Sequence, residues 1–155
     1  MSRKIMTYNS SLENYVRAGI LSKFTAGADI EAGDMCYLDG AGKARPAADP
    51  MLLFGRGGIA GVAETKAAEG EEVLLWQTGV FEFTTSVAQA IKPGNYVYAT
   101  GSNTVDLGGG RDQEISVGVA ESSTPGSASG EIVEVFITPV QKRSPYCYNQ
   151  ANPYL

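Results

Sequence analysis

The sequence predicts a mainly β protein, a compact small β-barrel or sandwich built from two similar β-units. Two observations predict this fold. Blocks of sequence recur in one order at nearly one offset, and glycines separate short apolar runs along the chain. Gly occurs 19 times in 155 residues, which suits many short strands joined by tight turns.

The recurring blocks are arranged around a Gly-Val-Ala-Glu motif that occurs at residues 61–64 and 118–121. Before it, a block with Ile, Gly, Tyr and Gly at one spacing begins at Ile30 and again at Ile91, an offset of 61. After it, a Gly-Glu-x-Val block begins at Gly70 and again at Gly130, an offset of 60. Three blocks in one order indicate an internal duplication, in which each copy needs the other to bury its apolar face.

The chain is predicted to form one β-domain with an extended N-terminal arm and a C-terminal tail. The arm covers residues 1–13, the domain 14–138 with repeat units of about 14–89 and 90–138, and the tail 139–155. The segments with strand patterns are 14–25, 34–38, 59–64, 71–77, 79–84, 96–99, 104–107, 115–121 and 131–137. The tail is aromatic but has no periodicity, so it is expected either to be disordered or to pack on another surface of the same or a neighbouring subunit.

Composition excludes several classes of partner. The net charge of −5 repels a phosphate backbone, so no nucleic-acid partner is expected. No apolar run approaches the ~18 residues of a membrane span. After Lys4 come polar Thr7, Asn9, Ser10 and Ser11 and not an apolar core segment, which predicts no signal peptide. We therefore expect synthesis in a reducing cytoplasm, with Cys36 and Cys147 as free thiols.

The residue types also argue against catalysis. The chain has no histidine, which removes the commonest general base and the commonest metal ligand. Two repeat-related carboxylate pairs, Glu64 with Glu121 and Glu71 with Glu131, are the best candidates for acid–base chemistry. However, a Gly-Glu turn before a strand is more often a solvated edge. The sequence predicts no enzyme, with no catalytic, cofactor-binding or metal-binding residues.

The order of the motifs resembles that of a known family. The segments that carry the resemblance are 61–63, 70–73, 78–83, 91–98, 117–120 and 130–137, together with Asn14-Tyr15-Val16 and Gly19. They resemble a family of small phage structural proteins that serve as capsid decoration, or cement, proteins. The resemblance covers roughly residues 14–138, and Gly94-Asn95 departs from the usual Gly-Asp. It implies a compact β-domain without enzymatic activity, frequently a trimer on the outer surface of an icosahedral head.

The first hypothesis for function is therefore a virion structural protein that binds the outer capsid surface and bridges neighbouring major capsid subunits. Self-association as a homotrimer is expected with it. The predicted contacts lie in the arm, in an apolar segment of the loop at residues 43–58, and in the tail. The predicted contact residues are Arg3, Lys4, Ile5, Tyr8, Leu53, Phe54, Tyr146, Tyr148 and Tyr154. The apolar segment 51–54 has an alternative place inside the core.

The alternative hypothesis comes from another class of protein. It is a non-catalytic ligand- or carbohydrate-binding β-module of a phage fibre or host-attachment structure. Such a module would present a flat or concave aromatic face, for example around Trp76, Tyr96 and Tyr98.

Overall fold

The computed structural model describes residues 15–48, 58–108 and 115–137, and these residues form eleven strands and no helix. The strands are β1 (Tyr15–Ala18), β2 (Leu21–Thr25), β3 (Met35–Leu38), β4 (Ala44–Pro46), β5 (Gly61–Ala63), β6 (Glu72–Trp76), β7 (Gly79–Thr85), β8 (Tyr96–Ala99), β9 (Thr104–Asp106), β10 (Ile115–Ala120) and β11 (Ile132–Ile137). The predicted mainly β fold is confirmed. No helix in the described part of the chain is long and apolar enough to cross a membrane.

The strands form two sheets with the same internal order. The first sheet runs β2-β6-β5-β3-β4, and the second runs β7-β11-β10-β8-β9 with β1 added beside β7. The five strands of each sheet follow one another along the chain, so each position in one sheet has a counterpart in the other. Neighbours in both orders are antiparallel.

The registers of the two sheets also correspond. In the first sheet Met35 pairs with Val62, and Val62 pairs with Trp76. In the second sheet the residues at the same motif offsets pair in the same way: Tyr96 with Val119, and Val119 with Phe136. Because register decides which face each side chain occupies, equivalent residues have equivalent orientations in their sheets.

The second sheet closes on itself into a five-stranded barrel. Its first and last strands meet in parallel, with Thr84 opposite Thr104 and Thr85 opposite Val105. The first sheet has one bridge at the matching place, a parallel contact between Ala26 and Ala44. Closure removes the open sheet edges that would otherwise invite pairing with other chains.

The first glycine of each Gly-Val-Ala motif is required by close approach of the neighbouring strand. A Cβ on Gly61 would overlap the carbonyl oxygen of Trp76, and a Cβ on Gly118 would overlap that of Phe136. Neither glycine has a positive φ, so the requirement is one of space. The repeated motif therefore records a repeated contact between two strands.

The two sheets are joined where the chain crosses between them twice. Residues 19–20 link β1 of the second sheet to β2 of the first, and residues 77–78 link β6 to β7. The two crossings lie side by side: Gln77 N donates to Ile20 O at 2.7 Å, and Ile20 N donates to Thr78 Oγ1 at 2.9 Å. The sheet boundary thus falls before Gly79, and β7 belongs with the second sheet although the predicted repeat units placed it in the first.

The buried side chains form two clusters. The smaller cluster fills the first sheet and contains Ala26, Ile30, Cys36, Ala44, Ala63, Ala67, Val73 and Leu75. The larger cluster fills the barrel and continues across the junction to Met35, Tyr37, Val62 and Trp76 of the first sheet. The two sheets therefore share one apolar junction, and the outward face of the first sheet is covered by the second.

Candidate interaction surface

The main exposed apolar feature of the barrel is a row of three side chains across strands β8, β10 and β11, which we call the aromatic row. It consists of Tyr96, Val119 and Phe136, which are consecutive cross-strand partners. Tyr96 is 61% exposed, Phe136 is 36% exposed, and Val119 is half-buried. Directly paired side chains on one sheet face lie close enough to act as one surface.

The surroundings of the row extend this face. Ile132 is two residues before Glu134 and four before Phe136, so alternation places all three on one side of β11. Ile132 is 60% exposed. The large exposed apolar side chains of the described chain are Ile20, Val87, Tyr96, Ile132 and Phe136. Three of these five lie on the outer face of the barrel, which makes this face the best candidate for docking.

The equivalent row of the first sheet is buried at the junction. It consists of Met35, Val62 and Trp76, which we call the buried row, and these residues are 0%, 0% and 1% exposed. The indole Nε1 of Trp76 donates a 2.7 Å hydrogen bond to Glu64 Oε1, which satisfies the polar atom of this ring. The same face is thus covered in one half of the molecule and open in the other.

Polar contacts hold the junction in place beside the buried row. Met35 N donates to Ser102 O at 2.7 Å, and Ile59 N donates to Ser116 O at 3.0 Å. The Asp34 carboxylate accepts a hydrogen bond from Glu31 N at 3.0 Å and bonds to the Ser102 side chain. Burial raises the pKa of Asp34 above its usual value, although the hydrogen bonds from Glu31 and Ser102 oppose this shift. This carboxyl therefore links the two halves.

Two of the four candidate catalytic carboxylates, Glu71 and Glu131, accept hydrogen bonds from backbone groups of turns. Glu71 Oε1 accepts from Ala68 N at 2.9 Å, while Glu131 accepts from Gly126 N and Ser127 N at 3.0 and 3.2 Å. These bonds close the turns that precede β6 and β11. Within the described ranges, no group of three or more His, Cys, Asp or Glu residues is arranged to hold a metal ion.

Cys36 is a free thiol that is fully buried in the smaller cluster. Burial raises the pKa of this thiol far above its usual value, because desolvation disfavours the thiolate and the nearby Asp34 charge adds to the effect. The second cysteine of the chain, Cys147, lies outside the described residues. Cys36 acts as a small apolar side chain.

The residues predicted to contact a partner all fall outside the described ranges. These residues are Arg3, Lys4, Ile5, Tyr8, Leu53, Phe54, Tyr146, Tyr148 and Tyr154. The aromatic face suggested for a ligand-binding module is wrong in one member. Trp76 is 1% exposed and lies on the first sheet, whereas Tyr96 lies on the barrel. The ring of Trp76 is covered at the junction and cannot stack on a ligand.

Sequence reasoning missed Phe136 and Val119 as surface residues. A signal was present in β11, where Val133, Val135 and Ile137 are buried and alternate with Ile132, Glu134 and Phe136. Two apolar residues that share a face with a glutamate indicate a solvent-side apolar patch.

Comparisons with known proteins complete this description. None of the curated proteins compared matches the chain. Among solved structures, the chain is similar to the head fiber gp8.5 N base of bacteriophage phi29, with 15% identity and a TM-score of 0.46. That similarity covers 81% of this chain and 98% of the other. A family model described as phage cement protein matches residues 16–137, which include both sheets. The chain therefore belongs to the phage cement protein family.

Proposed function

We propose that this protein is a capsid decoration protein that binds the outer surface of an assembled phage head and bridges neighbouring major capsid subunits. The observation that carries the proposal is the family match over both sheets, from residue 16 to residue 137. The exposed apolar face of the barrel supports it, because a protein that acts by adhesion needs surface to bury. On this proposal the protein has no enzymatic activity and needs no cofactor.

The mechanism is preferential binding to one state of the shell. A protein that binds assembled, neighbouring subunits and not separate ones stabilises the assembled shell by mass action. Three copies that associate as a homotrimer bind together, and their linked attachment raises the apparent affinity beyond that of one copy. The protein would thus act as a brace made in the host cytoplasm and carried on the outside of the virion.

The two ends of the domain lie on strands that flank β7. β1 and β11 lie on either side of β7, since both pair with it in antiparallel fashion. They are therefore parallel to each other, so the start of β1 at Tyr15 and the end of β11 at Ile137 point in opposite directions along β7. On this proposal Arg3 to Tyr8 and Tyr146 to Tyr154 contact the capsid as two distinct segments. Leu53 and Phe54 are a separate candidate contact.

A deletion experiment tests this assignment. Protein lacking residues 1–13 or 141–155 is mixed with purified heads that lack the protein and sedimented beside the full chain. We expect each deletion to weaken co-sedimentation at least tenfold, with the far-ultraviolet circular dichroism unchanged. A Lys23→Ala variant is the matched control, because Lys23 is exposed and forms a solvent-accessible ion pair with Glu72. Unchanged binding by both deletions would remove the ends from the contact surface.

We also infer that the two sheets arose by duplication of one unit. The matched strand orders, the matched pairs around Gly61 and Gly118, and the matched closing contacts support this origin. The unit so defined runs from β2 to β6 and again from β7 to β11.

A second candidate function is favoured by one observation. Tyr96 is 61% exposed on the barrel, and exposed tyrosine rings are suited to pack on sugars. This candidate is a carbohydrate-binding module of a fibre or host-attachment structure. Binding of the isolated protein to a glycan array, together with no affinity for heads, would favour it over the cement function.

A further inference from the structure

The buried row and the aromatic row occupy equivalent positions but have different neighbours. Met35, Val62 and Trp76 are at most 1% exposed, while Tyr96 and Phe136 are 61% and 36% exposed. Both rows are apolar throughout. The first row is covered by the second half of the same chain, so the question is what covers the second row.

The barrel is hydrogen-bonded to the first sheet at two places beside the buried row. The turn between β8 and β9 contributes Ser102, whose carbonyl accepts from Met35 N and whose side chain bonds to Asp34. The beginning of β10 contributes Ser116, whose carbonyl accepts from Ile59 N at 3.0 Å. The side chains of the buried row belong to the same apolar cluster as the barrel interior.

The turn that bonds to Met35 has an exposed counterpart in the first sheet. Residues 39–43 connect β3 to β4, and residues 100–103 connect β8 to β9. The two turns close in the same way: Asp39 N donates to Lys43 O, and Thr100 N donates to Thr104 O, both at 2.9 Å. In the first sheet, residues 40–43 are all exposed. The barrel therefore has an exposed apolar row, and the first sheet has an exposed turn.

We propose that the turn at residues 39–43 of a second copy of this chain docks on the aromatic row. This inference rests on the proposed self-association and names its surfaces. Between chains, the contact repeats the attachment of a turn beside the equivalent row, which already exists within the chain at Met35. Because the two surfaces differ, the interface is heterologous, and successive copies form a closed ring if their rotation closes. A homotrimer is such a ring.

The charges on the two surfaces are complementary. Glu121 and Glu134 lie two positions from Val119 and Phe136 along their strands, so they flank the aromatic row on one side. On the turn, Lys43 is exposed and carries the opposite charge, whereas Asp39 is paired with Arg45 at 2.8 Å. Complementary charges at the rim of an apolar contact fix its orientation.

The test uses one variant on each surface and the free full-length protein. Tyr96→Arg places a cation on the row, opposite Lys43. Gly40→Glu enlarges the turn and places an anion opposite Glu121 and Glu134, without strain within the chain, because a Cβ there meets no atom within 4 Å and its φ is not positive. Val87→Arg is the matched control, since Val87 is exposed outside the row and the turn. Sedimentation velocity gives the mass, and circular dichroism with Trp76 fluorescence confirms folding.

We expect the wild type and Val87→Arg to sediment as one oligomer, a trimer if the ring has three members. Each of the other two variants should fall to the monomer mass of 16.3 kDa. An equimolar mixture of the two variants should form dimers and nothing larger. In that mixture the intact row of one variant meets the intact turn of the other, and the remaining surfaces are both blocked. Only a heterologous interface gives this result.

Other outcomes overturn the inference. A wild-type protein that stays monomeric at high concentration, or variants that keep the wild-type mass, would exclude this interface. Failure of the mixed variants to form dimers would exclude the pairing of row with turn. Binding of the same variants to heads is measured in parallel, so that failure of this interface can be distinguished from failure of the proposed cement function. If Tyr96→Arg keeps its oligomeric mass but loses heads, the row contacts the capsid protein, and the cement function stands without this interface.

Discussion

The two sheets of this protein share a strand order and a register but differ in the side chains that fill them. The first sheet is lined by small residues, with Ala26, Ala44 and Ala67 where the barrel has Thr85, Val105 and Thr124. The comparison shows that strand order tolerates changes of side-chain volume when register is kept.

The polar substitutions in the barrel are compensated locally. Thr124 Oγ1 accepts from Ile91 N at 3.0 Å and donates to Gln89 O at 2.8 Å. At the matching place in the first sheet, Ile30 and Ala67 bond through their backbones only. A hydroxyl is tolerated in the barrel interior because both its donor and its acceptor functions are used. The same pair of positions is therefore hydrogen-bonded with the help of a side-chain hydroxyl in the barrel and through backbone atoms alone in the first sheet.

The largest expected effect comes from truncating the equivalent aromatic residues Trp76 and Phe136. Trp76→Ala removes a ring that is 1% exposed at the junction, and we expect a loss of about 3–5 kcal/mol in the free energy of unfolding. Phe136→Ala removes a ring that is 36% exposed, and should cost less than about 1 kcal/mol in the monomer. Urea unfolding followed by circular dichroism at low protein concentration measures both. Equal losses would mean that the two rows are buried alike.

The next effect concerns the glycines that bring the strands together. Gly61→Ala and Gly118→Ala each place a methyl group against a neighbouring carbonyl oxygen, so the strands must separate. We expect each to cost about 1–3 kcal/mol, with the larger loss at Gly118, where the overlap is closer. Gly40→Ala is the matched control, because no atom lies within 4 Å of its added Cβ. Thermal unfolding of the three variants would refute the spatial requirement if all melted together.

A smaller effect is expected where the two matching turns differ in chemistry. Asp39 accepts from Ala41 N and Lys43 N, both at 2.9 Å, and from Arg45 Nε at 2.8 Å. We expect Asp39→Ala to cost about 1–2 kcal/mol, because three donors lose their acceptor. In the other turn the Thr100 hydroxyl bonds only to Thr104 among the contacts described, and Thr100→Ala should cost less than about 0.5 kcal/mol.

The same aspartate gives a pH dependence with a definite sign. The hydrogen bond from Arg45 holds the pKa of Asp39 below its usual value in the folded protein. Its contribution is therefore fully present above the unfolded pKa and is lost as pH falls through the lowered folded pKa. The stability difference between wild type and Asp39→Ala should shrink in acid. A difference that stayed constant from pH 6 to pH 2 would show that Asp39 is not stabilised as an anion.

The sequence allowed much of this fold to be predicted from local patterns. The repeated Gly-Val-Ala and Gly-Glu-x-Val blocks mark strands β5, β6, β10 and β11, which form to within a few residues of the predicted limits. The pattern was informative because glycine at a close strand contact and glycine with positive φ at Gly70 and Gly130 are local requirements. Such requirements are visible without knowledge of the partner strand.

The partnership of β7 could not be predicted as easily. Its segment follows β6 after two residues, which favours a hairpin with β6, yet it pairs with β11 some 50 residues later in the chain. A weak signal existed, since Phe24-Thr25 in β2 recurs as Phe83-Thr84 in β7 at an offset of 59.

The exposure of the aromatic row could not be predicted from the sequence. It depends on how the two sheets pack, and equivalent residues such as Tyr37 and Tyr98 differ only through that packing.

The smallest expected effect sharpens the comparison at the turn that precedes β3 in the first sheet and β8 in the barrel. Asp34 Oδ2 accepts from Glu31 N at 3.0 Å, and the equivalent Asn95 Oδ1 accepts from Lys92 N at 2.9 Å. The barrel thus makes the same turn without a charge.

Because burial raises the folded pKa of Asp34, the folded state holds the carboxyl proton of Asp34 more tightly than the unfolded state. The resulting stability is present below the unfolded pKa and is lost as pH rises through the folded pKa. Asp34→Asn should therefore keep the turn, remove this slope, and match the acid stability of the wild type at neutral pH. Urea unfolding of both proteins between pH 4 and pH 7 measures the slope, and a wild-type profile parallel to that of Asp34→Asn would mean that the carboxyl is as well solvated at the junction as in the unfolded chain.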